Sequence, residues 1–158
     1  MSNRDTESAV RSSVNNLESY KSENHKPLTP ALSNWAALFS IQACISVAAG
    51  AFGAHALSRI LDANALGWWH TGSQYLMYHA LAGLIVVALS SYLPSCKNIL
   101  ALFFIGNMVF SGSLYVMALT GYTLLGAVTP IGGLCYLVAW GCLAWQLWRS
   151  TASKATSD

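Results

Sequence analysis

His55, His70 and His79 are three of the four histidines in this sequence. Imidazoles are the side chains most often recruited to bind metals or move protons near neutral pH. His70 and His79 stand nine residues apart, half a helical revolution out of phase, so a continuous helix sends them to opposite faces. Tyr75 and His79 are four apart and share a face. A metal site would therefore need His55, His79 and an oxygen donor from elsewhere, such as Ser111, Ser113 or Tyr115. No HExxH pattern and no neighbouring carboxylate accompanies them, which sets the histidines apart from recognisable zinc sites. The favoured reading is a neutral imidazole that hydrogen-bonds across helices, with a proton- or substrate-responsive role as the alternative. The four cysteines, Cys44, Cys96, Cys135 and Cys142, form no CxxC pair and read as small packing residues. No catalytic, cofactor-binding or metal-binding residue is assigned, no cofactor is expected, and the chain is not expected to be an enzyme.

The elements that must position these residues follow from composition. Of 158 residues, 54% are hydrophobic and only 9% charged, against roughly 25% charged in soluble domains. Between Asn34 and Trp148 the charged residues are Arg59, Asp62 and Lys97. Hydrocarbon selects such a desert, because an ionised side chain at mid-bilayer costs roughly 3 kcal/mol or more. Residues 1–33 are rich in Ser, Asn and charge and read as a disordered cytoplasmic tail. They lack the apolar run of a secretory signal, and Asp5, Glu7, Glu18 and Glu23 argue against a mitochondrial transit peptide. A net charge of +2 without a basic, aromatic-laced stripe excludes a nucleic-acid partner.

A spanning helix needs about 20 mostly apolar residues. Four candidates lie at about 34–54, 74–93, 98–120 and 124–148, followed by a C-terminal tail over 149–158. The short connections Pro94–Lys97 and Gly121–Thr123 join antiparallel neighbours, so the expected fold is all-α, an integral-membrane up-down bundle of four transmembrane helices. Asp62 is placed to cap a helix starting at Ala63 that could run on into the second span. Trp68 and Trp69 suit a membrane–water interface. Four crossings put Lys21, Lys26, Lys97, Arg149 and Lys154 on one side and Arg59 alone on the other, which predicts cytoplasmic termini. The same topology gathers His55, Tyr75, His79, Ser111, Ser113, Tyr115 and Thr129 into the opposite leaflet as a candidate polar cluster.

Small residues set how closely helices approach where lipid offers no hydrophobic drive. The first span carries two such pairs, Ala49 with Gly53 and Gly50 with Ala54. Pro130 either kinks the fourth span, freeing the Gly126 carbonyl, or occupies its first turn, where no bond is lost.

The segments Gly50-Ala51-Phe52-Gly53-Ala54-His55-Ala56-Leu57, Tyr75 with Tyr78-His79-Ala80, Phe110-Ser111-Gly112-Ser113-Leu114-Tyr115 and Thr129-Pro130-Ile131-Gly132-Gly133 occur in that order. Together they resemble the YgdD-like family of small four-helix membrane proteins, domain of unknown function 423. The resemblance covers about Trp35 to Trp148, and the N-terminal tail is longer than is usual in that family. It implies a bacterial inner-membrane location and supplies no catalytic residue. The expected role is a non-enzymatic structural, assembly or accessory component. The expected partners are the lipid bilayer and either further copies of the chain or a larger membrane complex. The alternative is a small oligomeric transporter or channel lined by Gln42, His55, His79, Asn107, Ser111 and Tyr115.

Overall fold

The computed structural model describes residues 7, 10–17, 19 and 28–155, with side chains described as far as Ser150. The chain divides into two compact units, Met1–Ala31 and Leu32–Asp158. In the first, residues 10–17 are helical, within the segment expected as a disordered tail. Val10, Val14 and Leu17 recur at helical spacing and form one apolar stripe. Most of the remaining expected tail lies outside the described residues.

The second unit is built from helices, and no strand occurs among the described residues. Helix α1 spans Pro30–His55. Pro30 suits its first position, where a missing N–H costs no hydrogen bond. Helix α2 spans Ala63–Ala88 and begins well before the expected Gln74. Its start is set by Asp62, whose carboxylate accepts a hydrogen bond from the Ala65 N–H at 2.8 Å. Asp62→Ala should therefore lower the unfolding free energy in detergent by about 1 kcal/mol, while Asp62→Asn should retain most of it. Equal losses for both substitutions would show that the cap contributes nothing.

Helix α3, Cys96–Gly106, passes through a π turn at Asn107–Ser111 into helix α4, Gly112–Thr120. Gly121 ends this run with φ +71°, a left-handed cap that favours glycine, and its N–H donates to the Met117 carbonyl. A 3-10 segment over Thr123–Ala127 leads into helix α5, Thr129–Ala155. Pro130 thus sits in the first turn of α5, and the kink reading does not apply. Residues 149–155 continue α5, so the tail expected over 149–158 is helical along most of its length. Residues 156–158 lie outside the described part.

Among the described residues, three helical stretches are long and apolar enough to cross a membrane: Pro30–Arg59, Cys96–Thr120 and Thr123–Ser150. The fourth expected span, α2, is long enough but carries Asn64, His70, Thr71, Ser73 and Gln74 in its first half.

The continuous run α3–π–α4 packs against both α2 and α5. Phe39, Val86, Ile99, Leu100, Phe103, Ala139 and Leu143 form the apolar part of the core. Phe39 of α1 lies over Gly83 of α2, where a Cβ would come within 2.6 Å of its ring. On α1, Ala49 and Gly53 form the small-residue pair that meets α2, whereas Gly50 has nothing within 4 Å of a would-be Cβ.

Candidate functional site

The interior of the second unit is unusually polar and its exterior unusually apolar. Leu38, Ile41, Ile45, Phe52, Leu81, Ile85, Leu119, Leu134, Leu137 and Trp148 are exposed. Gln42, Ser46, Ser73, His79, Asn107, Ser111 and Ser113 are buried. Water would reverse this arrangement, whereas lipid favours it, because buried polar groups bond one another more readily than hydrocarbon could satisfy them.

The buried polar groups fall into three sets. At the deepest, the Asn107 side-chain amide donates to Gln42 Oε1 at 2.8 Å, and the Tyr136 hydroxyl donates to Asn107 Oδ1 at 2.8 Å. This ties α1, the π turn and α5 together through residues that are at most 3% exposed. Gln42 Nε2 and Ser111 Oγ, both buried, make no hydrogen bond.

A second set joins α1, α2 and α4. Ser46 donates to the Ser73 carbonyl at 2.7 Å, and Tyr115 donates to Ser73 Oγ at 3.1 Å. The Trp69 indole N–H donates to the Ala49 carbonyl at 2.7 Å, and its ring lies 4.6 Å from that of Tyr115. Trp69 therefore packs between helices. A Cβ on Gly53 would stand 2.8 Å from its ring.

The third set joins the Ser113 and Thr129 hydroxyls at 2.7 Å, with the carbonyls of Phe110 and Leu125 also within reach. Each hydroxyl has one proton. Either Thr129 donates to Ser113 and Ser113 to Phe110, or Ser113 donates to Thr129 and Thr129 to Leu125.

His79 stands apart from these sets. Its Nδ1 lies 2.8 Å from the Tyr75 carbonyl, an acceptor only, so the proton is on Nδ1. Its ring stacks on Tyr136 at 3.5 Å with 4° between planes. Tyr75 stacks on Phe110 at 4.7 Å. His79, Tyr75, Phe110, Tyr136 and Trp140 line a groove of about 450 Å³, with Pro130 and Gly133 at one edge.

Of the candidate cluster, the structure joins Tyr75 with His79 and Ser113 with Thr129, while Tyr115 bonds Ser73. Ser111 lies in the interior one turn beyond Asn107, and His55 is exposed at the end of α1. The His70 ring packs toward Gly53 on α1, on a different neighbour from His79, as their nine-residue spacing requires. Among the described residues, no group of three or more His, Cys, Asp or Glu side chains is placed to hold a metal ion. Cys44 and Cys142 are exposed, so neither packs within the chain as expected.

Sequence reasoning named Gln42 and Asn107 only as lining residues of the channel alternative and missed Tyr136, their third member. The available signal was that Tyr136 is the one tyrosine between Thr129 and Ala155. The π turn had no sequence signature beyond Gly106 and Gly112 on either side of it.

Apolar helices with an inverted, polar interior define a helical membrane protein. The chain belongs to the family described as protein of unknown function (DUF423), whose sequence profile matches residues 49–133. It is similar to the UPF0382 membrane protein YwdK of Bacillus subtilis, 42% identical over 106 residues, covering 65% of this chain and 86% of that one. A UPF0382 membrane protein of Haemophilus influenzae is 39% identical over 115 residues, covering 72% of this chain and 92% of the relative. The UPF0382 inner membrane protein YgdD of Escherichia coli is 41% identical over 109 residues, covering 66% and 81%. No solved structure matches the chain.

Proposed function

We propose that this chain is a non-enzymatic accessory or assembly component of the bacterial inner membrane, crossing it four times with both termini in the cytoplasm. The observation that carries this reading is the Gln42–Asn107–Tyr136 chain of hydrogen bonds. It spends the deepest polar side chains on holding helices together within one copy. The oligomeric channel reading needs Gln42 and Asn107 on one seam. They do share one, but they bond each other, so opening a path there would break that bond.

Support for a fourth crossing comes from the length of α2. Its 26 residues rise about 39 Å, more than the roughly 30 Å of hydrocarbon. Its polar half packs against α1 and α4 through Ser73 and Trp69, and a helix sheltered by others need not be apolar all round. Four crossings return the C-terminus to the side of the N-terminus, and Lys97 and Arg149 then mark the cytoplasmic side.

Three measurements test the proposal. In a chain freed of its own cysteines, Ala56→Cys and Tyr122→Cys should label from one side and Lys97→Cys from the other. Labelling of Ala56→Cys and Tyr122→Cys from opposite sides overturns the topology. Purification in mild detergent should return a reproducible membrane-protein partner, and reconstituted liposomes should show no leak to protons, ions or small solutes. A chain that purifies alone and conducts overturns the accessory role.

A further inference from the structure

Among the described residues, two grooves on the apolar surface of the bundle differ in one respect. The first, about 350 Å³, is lined by Ile45, Phe52, Trp69, Tyr115 and neighbouring apolar residues. Its polar handles are already used, since Trp69 bonds the Ala49 carbonyl and Tyr115 bonds Ser73. It offers a lipid chain shape and nothing else.

The second is the His79 groove, about 450 Å³ and within the range of small-molecule sites. His79 is 7% exposed. With Nδ1–H committed to the Tyr75 carbonyl, the other nitrogen, Nε2, makes no hydrogen bond among the described residues. In the neutral ring that nitrogen is an acceptor only. The ring cannot turn to hide it, because stacking on Tyr136 and the Nδ1 bond fix its plane and its edge. An acceptor that opens onto an apolar groove is best met by a group that brings a hydrogen, since hydrocarbon supplies none.

The rest of the wall describes that group's carrier. Tyr75, Phe110, Tyr136 and Trp140 present ring faces and edges, and flat aromatic ligands pack against such surfaces in offset or edge-to-face fashion. Tyr75 and Trp140, both exposed, bring a hydroxyl and an indole N–H to the same wall. Leu134 and Leu137, both exposed, form the outer lip, so entry is from the apolar exterior.

We propose that this groove binds a lipid-soluble phenol or quinol, whose ring lies among the aromatic walls and whose hydroxyl donates to His79 Nε2. The site goes beyond the accessory role and does not depend on it. A partner search can fail while the groove still binds, and the reverse also holds.

The test uses the full chain in nanodiscs and 4-decylphenol as the probe, with binding followed by calorimetry. Binding should saturate at one probe per chain. The O-methyl ether of the probe, which has the same ring and tail but no donor, should bind about tenfold more weakly, the size of one buried hydrogen bond. His79→Phe keeps a ring to stack on Tyr136 but removes the acceptor. It should lower phenol affinity about tenfold and leave the ether unchanged. Leu137→Trp alters the exposed lip, away from the buried core, and should weaken phenol and ether alike. Equal binding of phenol and ether to the native chain overturns the proposal. So does absence of saturable binding over the lipid background, or full phenol affinity in His79→Phe.

Discussion

Gly132→Ala is expected to cost about 3 kcal/mol of stability, the upper end of what one added methyl does in a packed interior. A Cβ at Gly132 would lie 2.5 Å from the Phe110 nitrogen and 2.8 Å from the Phe110 Cα. Carbon atoms settle about 3.5–4.0 Å apart, and the obstructing atoms are backbone within the π turn, which cannot rotate aside. Helix α5 and the π turn must therefore separate by about 1 Å. Gly106 and Tyr136 lie in the same crossing, since a Cβ on Gly106 would meet the Tyr136 ring at 2.6 Å and the Gly132 carbonyl at 3.3 Å. Separation would thus also strain the Tyr136–Asn107 hydrogen bond. The neighbouring position supplies the control. At Gly133 a Cβ would meet Phe110 ring atoms at 3.9 Å, an ordinary contact. Gly133→Ala should be neutral or gain up to about 1 kcal/mol from helix propensity. Detergent unfolding curves that coincide for the two substitutions would remove the close crossing from the account.

Much of this fold is readable from where charge is missing. The run from Asn34 to Trp148 admits few charges, which marks it for lipid. Asp62 announces the start of α2 by its type and position. The second span's boundary was harder to see because hydropathy rewards apolar residues, while α2 begins with a polar half sheltered by other helices. The small-residue pairs on α1 were equally visible, but only Ala49 and Gly53 meet α2, and sequence spacing does not say which of two adjacent stripes a neighbour will choose. The π turn was hidden for a similar reason. It lies at a tertiary crossing with Gly132, which is distant in sequence from Asn107. Part of the candidate cluster came from topology, which carries Ser113 to Thr129 by helix order, while Tyr75 meets His79 through their four-residue spacing on α2. His55 was included on the same logic, but it stands exposed at the end of α1. The deep network was only half visible, because the partner of Asn107 on α5 is a tyrosine, a residue that lipid-facing and interior positions both accept.

Replacing Asn107 should be the most damaging change to that network, and replacing Gln42 should be milder, although the two share one hydrogen bond. Asn107→Leu strands the Tyr136 hydroxyl and the Gln42 Oε1 in the interior, beside an amide nitrogen that already lacks a partner. Each buried polar group left unpaired costs about 1–3 kcal/mol, and less in membranes, where the unfolded reference also finds partners. A total loss of about 2–3 kcal/mol follows. Gln42→Leu, by contrast, removes an amide whose nitrogen already lacks a partner and strands only the Asn107 amide hydrogen. Its expected loss is about 1 kcal/mol or below. The double substitution leaves only the Tyr136 hydroxyl unpaired, so it should be no less stable than Asn107→Leu alone. Two single losses that simply add would mean that the 2.8 Å contact carries no coupling. The same pair separates the two functional readings. If these side chains serve as glue, their replacement changes stability and leaves liposome permeability untouched. If they line a path, Asn107→Leu changes flux in a protein that still folds.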